Sequence, residues 1–527
     1  MRISTQQYFE TSTAKYQENY SSVVKAQDQA SSGVRVQSAG DDPVAAARLL
    51  MLQQQKDMLG QFNGNIDTLK NSLNSEDSVL ENINTALQTA SELALKAGNT
   101  GISDADRKAI ADSIGSIQDQ VLGLLNSKDS SGNYLFSGSK TDTPPYARNN
   151  DGTYSYQGDE TPLSLKVAEN LSVSMGDTAK TMLESSANTG RTQSTRVLVA
   201  PEVDDNKVTV SAGLIGAATT SSFASGQPYS LKFVSSTQYT VSDSTGKDIT
   251  SEIQGNGTFD TTKEGASTIN LRGVKFDIGF NLGAGVLPGT PSDDIVKDRE
   301  FSLALKPDTF SVSRTPSNPS TAQLSGGTVS DSAAYASTFP NSGLIIKFGA
   351  GGTYSVYSQP YTANSKSIAD DTLPAGSTSI TVAGVTLDVS ADPADGDQFS
   401  VGSTSNTNEN VLDTLTHLRK TLETPADGNP AAQKELKDVV ARSIGNLANA
   451  KIQINQVRGS IGARLNSLDM QTQENTSLGI ANDSTMNSLG NVDLAEASTN
   501  LSLQQTMLQA SQLAFVKISQ LSLFNKM

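Results

Sequence analysis

Four groups of side chains in this sequence are of types that do chemistry. His417 is the single histidine, between Thr416 and Leu418, where Val411, Leu415 and Leu418 repeat at helical spacing. With no second histidine to share a metal or a proton, it reads as a surface residue rather than a ligand or base. The turn Asp392-Pro393-Ala394-Asp395-Gly396-Asp397 offers carboxylates of the kind calcium takes. It lacks the spacing and distal glutamate of an EF-hand loop, so a solvated turn is the better reading. Asp41 and Asp42 could act as paired catalytic carboxylates, but Pro43 follows directly. Acidic residues just before a helix-initiating proline cap the helix and complement its dipole. Tyr16 and Tyr20 form an aromatic stripe, which at helical spacing reads as core or interface.

What is missing narrows the function further. Cysteine and tryptophan are absent, so disulfides, thiol nucleophiles and thiolate metal sites are excluded. Most hydrolytic, redox and metal chemistry relies on histidine or cysteine. No Gly-rich phosphate loop, serine nucleophile elbow or basic-aromatic patch appears. A net charge of -16 is the opposite of what a phosphate-neutralising nucleic-acid binder needs. Nothing approaches the ~18 apolar residues of a membrane span, and Met1–Tyr20 has no apolar core of signal-peptide length. The expectation is a structural protein, not an enzyme, with no catalytic, cofactor-binding or metal residues and no nucleic-acid or membrane partner.

The elements that position these residues fall into three zones. In the first, Phe9, Tyr16, Tyr20, Val23 and Ala30 mark one face of an amphipathic helix, broken by a loop from Ser31 to Gly40. Leu52, Leu59, Phe62, Ile66, Leu69, Leu73, Leu80, Ile83, Leu87, Ala90 and Ala94 then keep one heptad register, with only Gln55 and Glu76 intruding. Sustained heptads bury a seam along a partner helix. A continuous helix over Pro43–Ala97 would be roughly 80 Å long. Gly98 to Gly101 ends it, Ser103 caps the next, and Ile110, Ile114, Ile117 and Val121 give a shorter helix.

After Asn126 the period changes to two. Tyr134–Phe136, Thr153–Tyr156 and Leu163–Val167 read as short strands. Residues from about 190 to 404 are Ser/Thr/Gly-rich with alternating apolar positions, and they carry an internal duplication. Lys232-Phe233 followed by Tyr239-Thr240-Val241 returns as Lys347-Phe348 followed by Tyr354-Ser355-Val356. Gly273–Ile278 returns as Gly384–Val389, and Phe301-Ser302-Leu303 as Phe399-Ser400-Val401. Three matches in one order imply two related β-modules.

Helical spacing resumes after Asn410. Leu436, Val440, Leu447, Ala450, Ile454, Val457, Ile461 and Leu468 form a second heptad seam, a polar stretch runs from Gln471 to Ser488, and Leu494, Ala497, Leu501, Leu508, Phe515 and Ile518 mark a last helix. Two seams in opposite halves of the chain serve as each other's partners. The fold class expected is α+β multidomain: a long antiparallel helical coiled-coil rod made by both chain ends, with all-β modules inserted between them.

Ala30-Ser31-Ser32-Gly33-Val34-Arg35-Val36-Gln37-Ser38-Ala39-Gly40-Asp41-Asp42-Pro43 resembles the signature after the first helix of bacterial flagellins and their hook-associated relatives. Asp493-Leu494-Ala495-Glu496-Ala497-Ser498 onward resembles their C-terminal helix. Met1–Phe9 and Tyr134-Leu135-Phe136-Ser137-Gly138 look most like the hook–filament junction branch of that family. The likeness covers roughly residues 1–175 and 410–527, and Gly384–Val401 resembles a short β motif found inside some members.

The resemblance implies an adaptor of the bacterial flagellum joining hook to filament, with a filament-forming flagellin as the alternative. It implies export through the flagellar type III machinery with an export chaperone and no cleaved signal, to an extracellular location. Copies of the chain in a ring, the first hook-associated protein and flagellin are the implied partners. The domains expected are terminal helices at 1–40 and 490–527, disordered until assembly, a helical rod with a small β region at 41–190 and 405–489, and β-modules at 191–307 and 308–404. Assembly contacts fall to Phe9, Tyr16, Tyr20, Val23, Leu501, Leu508, Phe515 and Ile518. A competing class, a glycan-binding or hydrolytic protein working through carboxylates, has only the abundance of aspartate in its favour.

Overall fold

A computed structural model of the chain describes residues 2–99, 101–149, 152–184, 186–216, 220–260, 266–280, 293–340, 343–359, 361–362, 365–404 and 406–524. Three helices come first: α1 (Arg2–Ser32), α2 (Pro43–Ala97) and α3 (Asp104–Leu125). Three close the chain: α4 (Val411–Glu423), α5 (Pro430–Gly490) and α6 (Leu494–Phe524). Two compact units result, one of Met1–Asn74, Leu163–Met175 and Ile461–Met527, the other of Ser75–Pro162 and Gly176–Ser460. Both α2 and α5 contribute to each.

In the first unit, α1 lies against α6, while α2 and α5 meet through Lys56–Asp483 and Lys70–Asp469 ion pairs, each 2.7 Å. Numbers rise on α2 as they fall on α5, so the two run antiparallel. Leu59, Ile66, Leu69 and Leu73 of α2 are buried, as are Ile461 and Leu468 of α5, whereas Leu52 is half-buried. The hairpin β3 (Ser164–Ala168) and β4 (Leu171–Ser174) straps both helices. Asn65 donates to Lys166 O (2.7 Å), and the buried Asn475 donates to Val167 O (3.2 Å) and Asn63 Oδ1 (3.1 Å). The helix α5 continues unbroken through the polar stretch 471–488, where the hairpin satisfies the buried Asn475.

In the second unit, Leu80, Ile83, Leu87, Ala90 and Ala94 of α2 are buried, with Leu436, Val440, Leu447, Ala450 and Ile454 of α5; Val457 is half-buried. Arg458 pairs with Asp77 at 2.7 Å. Of the two residues intruding on the α2 spacing, Gln55 is exposed, whereas Glu76 is only 1% exposed. Its Oε1 accepts from the Asp177 N–H at 3.0 Å, so that carboxylate pins a loop. α3 and α4 pack together, Gln118 of α3 donating to Leu412 O at 3.0 Å. The small hairpin β1 (Tyr146–Arg148) and β2 (Tyr154–Tyr156) is tied to α4 by the Tyr154 N–H on Asp413 (2.9 Å). Tyr134–Phe136 is a turn and not the expected strand. Phe136 is buried, and its carbonyl accepts from Tyr156 Oη (3.0 Å) and the Ala179 N–H (3.1 Å), bonds that a strand ladder would have consumed.

The middle of the chain forms two pairs of antiparallel sheets. The first pair uses β5 (Thr192–Val197), β6 (Val208–Val210), β7 (Leu214–Ile215), β8 (Tyr229–Ser235), β9 (Gln238–Ser242), β10 (Ala266–Leu271), β11 (Val274–Phe280) and β12 (Glu300–Leu305). Their orders are β5-β12-β8-β9 and β10-β11-β6, with β7 also on β11. The second pair uses β13 (Thr309–Arg314), β14 (Leu324–Val329), β15 (Leu344–Phe348), β16 (Thr353–Ser358), β17 (Ala369–Thr372), β18 (Ser379–Val382), β19 (Val385–Val389) and β20 (Gln398–Thr404). These order as β13-β20-β15-β16-β17 and β14-β19-β18.

Equivalent strands share register. Phe233 faces Tyr239 and Phe301 faces Leu231 in the first pair; Phe348 faces Tyr354 and Phe399 faces Ile346 in the second. Each pair encloses its own core, one around Phe233, Phe276 and Leu303, the other around Ile346, Leu387 and Val401. Even the β10–β11 and β18–β19 turns match, with positive φ at Arg272-Gly273 and at Ala383-Gly384, as a type I′ hairpin requires.

Candidate assembly interface

The residues that the sequence singles out for assembly lie on α1 and α6, within the first unit. Phe9, Tyr16 and Val23 repeat every seven residues along α1, and on α6 Phe515 follows Leu508 and Leu501 at the same step. The rings of Phe9 and Phe515 are 5.6 Å apart, and Tyr16 stacks on Phe515 at 5.9 Å. Asn19 donates to Ser511 in the same seam. Val23 is buried, Leu501 and Leu508 are half-buried, and Tyr20 remains 55% exposed. The Ile518 side chain lies outside the described residues. Phe9, Tyr16 and Phe515 therefore meet each other inside one chain.

A second apolar face of α6 escaped the sequence reading. Leu503, Met507, Leu513 and Val516 are 53%, 48%, 68% and 51% exposed. At about 100° per residue they centre half a turn away from Ala497, Leu501, Leu508 and Phe515. The helix thus carries apolar residues on opposite sides, separated by uncharged polar ones. The signal that reveals it is the absence of a charged side between residues 497 and 516. Such a helix can carry one partner on each face, and α1 takes only one of them.

The two linkers that lead into these helices are clasped together. Val34 and Asn491 form an isolated antiparallel bridge, the Val492 N–H donates to Gly33 O at 2.9 Å, and Arg35 donates to Leu489 O at 2.8 Å. Gly33 sits at φ +73°, the left-handed position that ends α1. Asp41 receives Lys25 at 2.6 Å and the Ser38 N–H at 2.9 Å, which together lower its pKa to about 2. Asp42 accepts from the Ala45 N–H at 3.0 Å, capping α2, and that bond with Arg35 holds its pKa below the ordinary value.

The other chemical candidates have structural partners. His417 is exposed, the surface residue expected, and its Nδ1 lies 2.8 Å from Glu409. Burial opposes the Glu409 charge, but the His417 bond and nearby Arg442 leave its pKa below the usual glutamate value. Asp392 and Asp395 are exposed, as in a solvated turn, whereas Asp397 is fully buried, accepting from the Ala394 N–H (2.8 Å) and Ser320 N–H (3.2 Å). Among the described residues no group of His, Asp or Glu side chains is arranged to hold a metal ion, and no helix is long and apolar enough to cross a membrane.

Residues 3–141 match the bacterial flagellin N-terminal helical region. Flagellar hook-associated protein 3 of Salmonella typhimurium is 34% identical over 183 residues, covering 35% of this chain and 54% of that protein. The protein of the same name from Escherichia coli is 31% identical over 185 residues, covering 35% and 57%. The chain thus spans about half the length of the curated relatives it matches. Among solved structures, flagellar hook-associated protein 3 of Legionella pneumophila aligns with a TM-score of 0.48 at 20% identity, over 84% of this chain and 98% of that one.

Proposed function

Since this chain carries the N-terminal helical region of bacterial flagellins and is a relative of the flagellar hook-associated proteins, we propose that it is a structural adaptor joining hook to filament in the bacterial flagellum, and not an enzyme. In this reading α2 and α5 form an antiparallel coiled coil, and α1 and α6 make the contacts between copies of the chain in a ring. The first hook-associated protein is the neighbour on the hook side and flagellin on the filament side. The chain reaches this extracellular site through the flagellar type III export machinery, held by an export chaperone. The β-modules at 191–307 and 308–404 are duplicates that form the outer surface.

The observation that carries this reading is the second apolar face of α6, which has no described partner within the chain. The α1–α6 pair alone buries a narrow seam, too little to hold two long helices firmly, so these termini open readily in the monomer and become fully ordered on assembly. Immunogold labelling of intact flagella tests the placement: a single band at the hook–filament boundary is expected. Label along the whole filament would establish the flagellin alternative instead.

A further inference from the structure

We infer that a cleft between the first sheet pair and the start of α5 is a docking groove for an extended, acidic peptide segment of a partner protein, which adds as a strand to the free edge of β5. The cleft has a volume of about 910 Å³ and lies wholly within the second unit. Gln193, Ser194 and Thr195 of β5 line one wall. Successive strand residues point to opposite faces, so three in a row on one cleft place the edge of the strand there, not a face.

β5 is the terminal strand of its sheet. The Lys306 N–H donates to Arg191 O at 2.6 Å, next to the Leu305–Thr192 pair, and this fixes the phase of the ladder. Gln193, Thr195 and Val197 bond to β12, and the N–H and C=O of Ser194 face outward. Ser194 Oγ is buried without a hydrogen-bond partner. An edge with outward backbone groups beside a cleft is the arrangement to which extended peptides add.

Charge selects the occupant. Five cations line the cleft, Lys275, Lys306, Lys434, Lys437 and Arg442, against Asp277, Glu435 and Asp438, in a chain whose net charge is -16. Lys434 is committed to Asp438 at 2.8 Å. Lys275 and Lys437 are exposed, while burial and the neighbouring Arg442 lower the pKa of Lys306, the strain that an incoming anion relieves. Arg442 closes the inner end, lying so close to Gly190 that a Cβ there would meet its Cδ at 1.8 Å. A strand with carboxylates on alternate residues satisfies edge and cations together. The inference is independent of the proposed role in the flagellum.

Fluorescence anisotropy on the full chain tests it, with a labelled peptide of roughly eight residues alternating Glu and Val, its Lys-for-Glu counterpart, and polygalacturonate. The acidic peptide should bind at least about tenfold more tightly than the basic one and weaken as salt rises. Lys275→Glu with Lys437→Glu should cost about tenfold, with unchanged circular dichroism. Binding should also slow amide exchange at Ser194, and Ser194→Pro, which removes an outward N–H and spares the β12 bonds, should weaken it. Equal affinity for the two peptides overturns the proposal, as does polygalacturonate binding without peptide binding. Unchanged Ser194 exchange in the complex overturns the strand addition.

Discussion

Asp41 shows what a single side chain does in the clasp. Its pKa near 2 lies below the ordinary 3.8, and the Lys25 bond is the largest cause. A depressed carboxylate pKa contributes stability that is fully present above about 3.8 and drains away as pH falls through 2. A carboxyl-carbon NMR titration should therefore place Asp41 near 2, and Lys25→Ala should move it toward 3.8. An unsubstituted protein titrating near 3.8 would show that the ion pair does not persist in solution. The Asp42 cap was legible because capping is local: the acceptor, the proline and the N–H lie within a few residues of each other. The Asp41–Lys25 pair was not, because it forms only when the loop after α1 folds back on that helix.

Elements obey the same division. The boundaries of α2 follow from Asp42-Pro43 at one end and Gly98 at the other, and the apolar spacing alone marks which of its faces is buried. The turn at Tyr134–Phe136 misled because two aromatic residues around a leucine favour a strand locally, while their backbone bonds go to distant groups. Hairpin turns make a sharper case. Ala383 holds φ +47° and Gly384 φ +79°, and a Cβ on Gly384 would meet Asp331 O and the Tyr335 N, both at 2.4 Å. Gly384→Ala should destabilise the second sheet pair by roughly 1–3 kcal/mol, from both the left-handed backbone and the clash. Ala383→Asn should stabilise it by up to about 1 kcal/mol, since asparagine tolerates that conformation. Urea melts followed by Tyr fluorescence decide both, and equal midpoints for the two variants would refute the turn assignment.

At the scale of the whole molecule, the question is which apolar surface on α6 holds the chain together and which would hold chains to each other in the assembly proposed above. Helical spacing made the Leu501–Leu508–Phe515 face legible, because heptad steps stand out. The opposite face did not stand out, because Leu503, Met507, Leu513 and Val516 follow no heptad step; only their exposure in the folded chain reveals them. The two faces predict opposite phenotypes. Met507→Lys with Leu513→Lys places charge on residues already exposed, so the thermal melt of the purified monomer should shift by no more than about 0.5 kcal/mol equivalent. Incorporation into flagella should nevertheless be lost, since an unpaired charge cannot be buried at an interface between copies. Phe515→Ala should do the reverse first: it removes the ring that Phe9 and Tyr16 share, and amide exchange along α1 should quicken in the monomer itself. Normal incorporation of the double-lysine variant, seen by labelling flagella from cells that carry it as their only copy, would rule out the second face as the assembly surface.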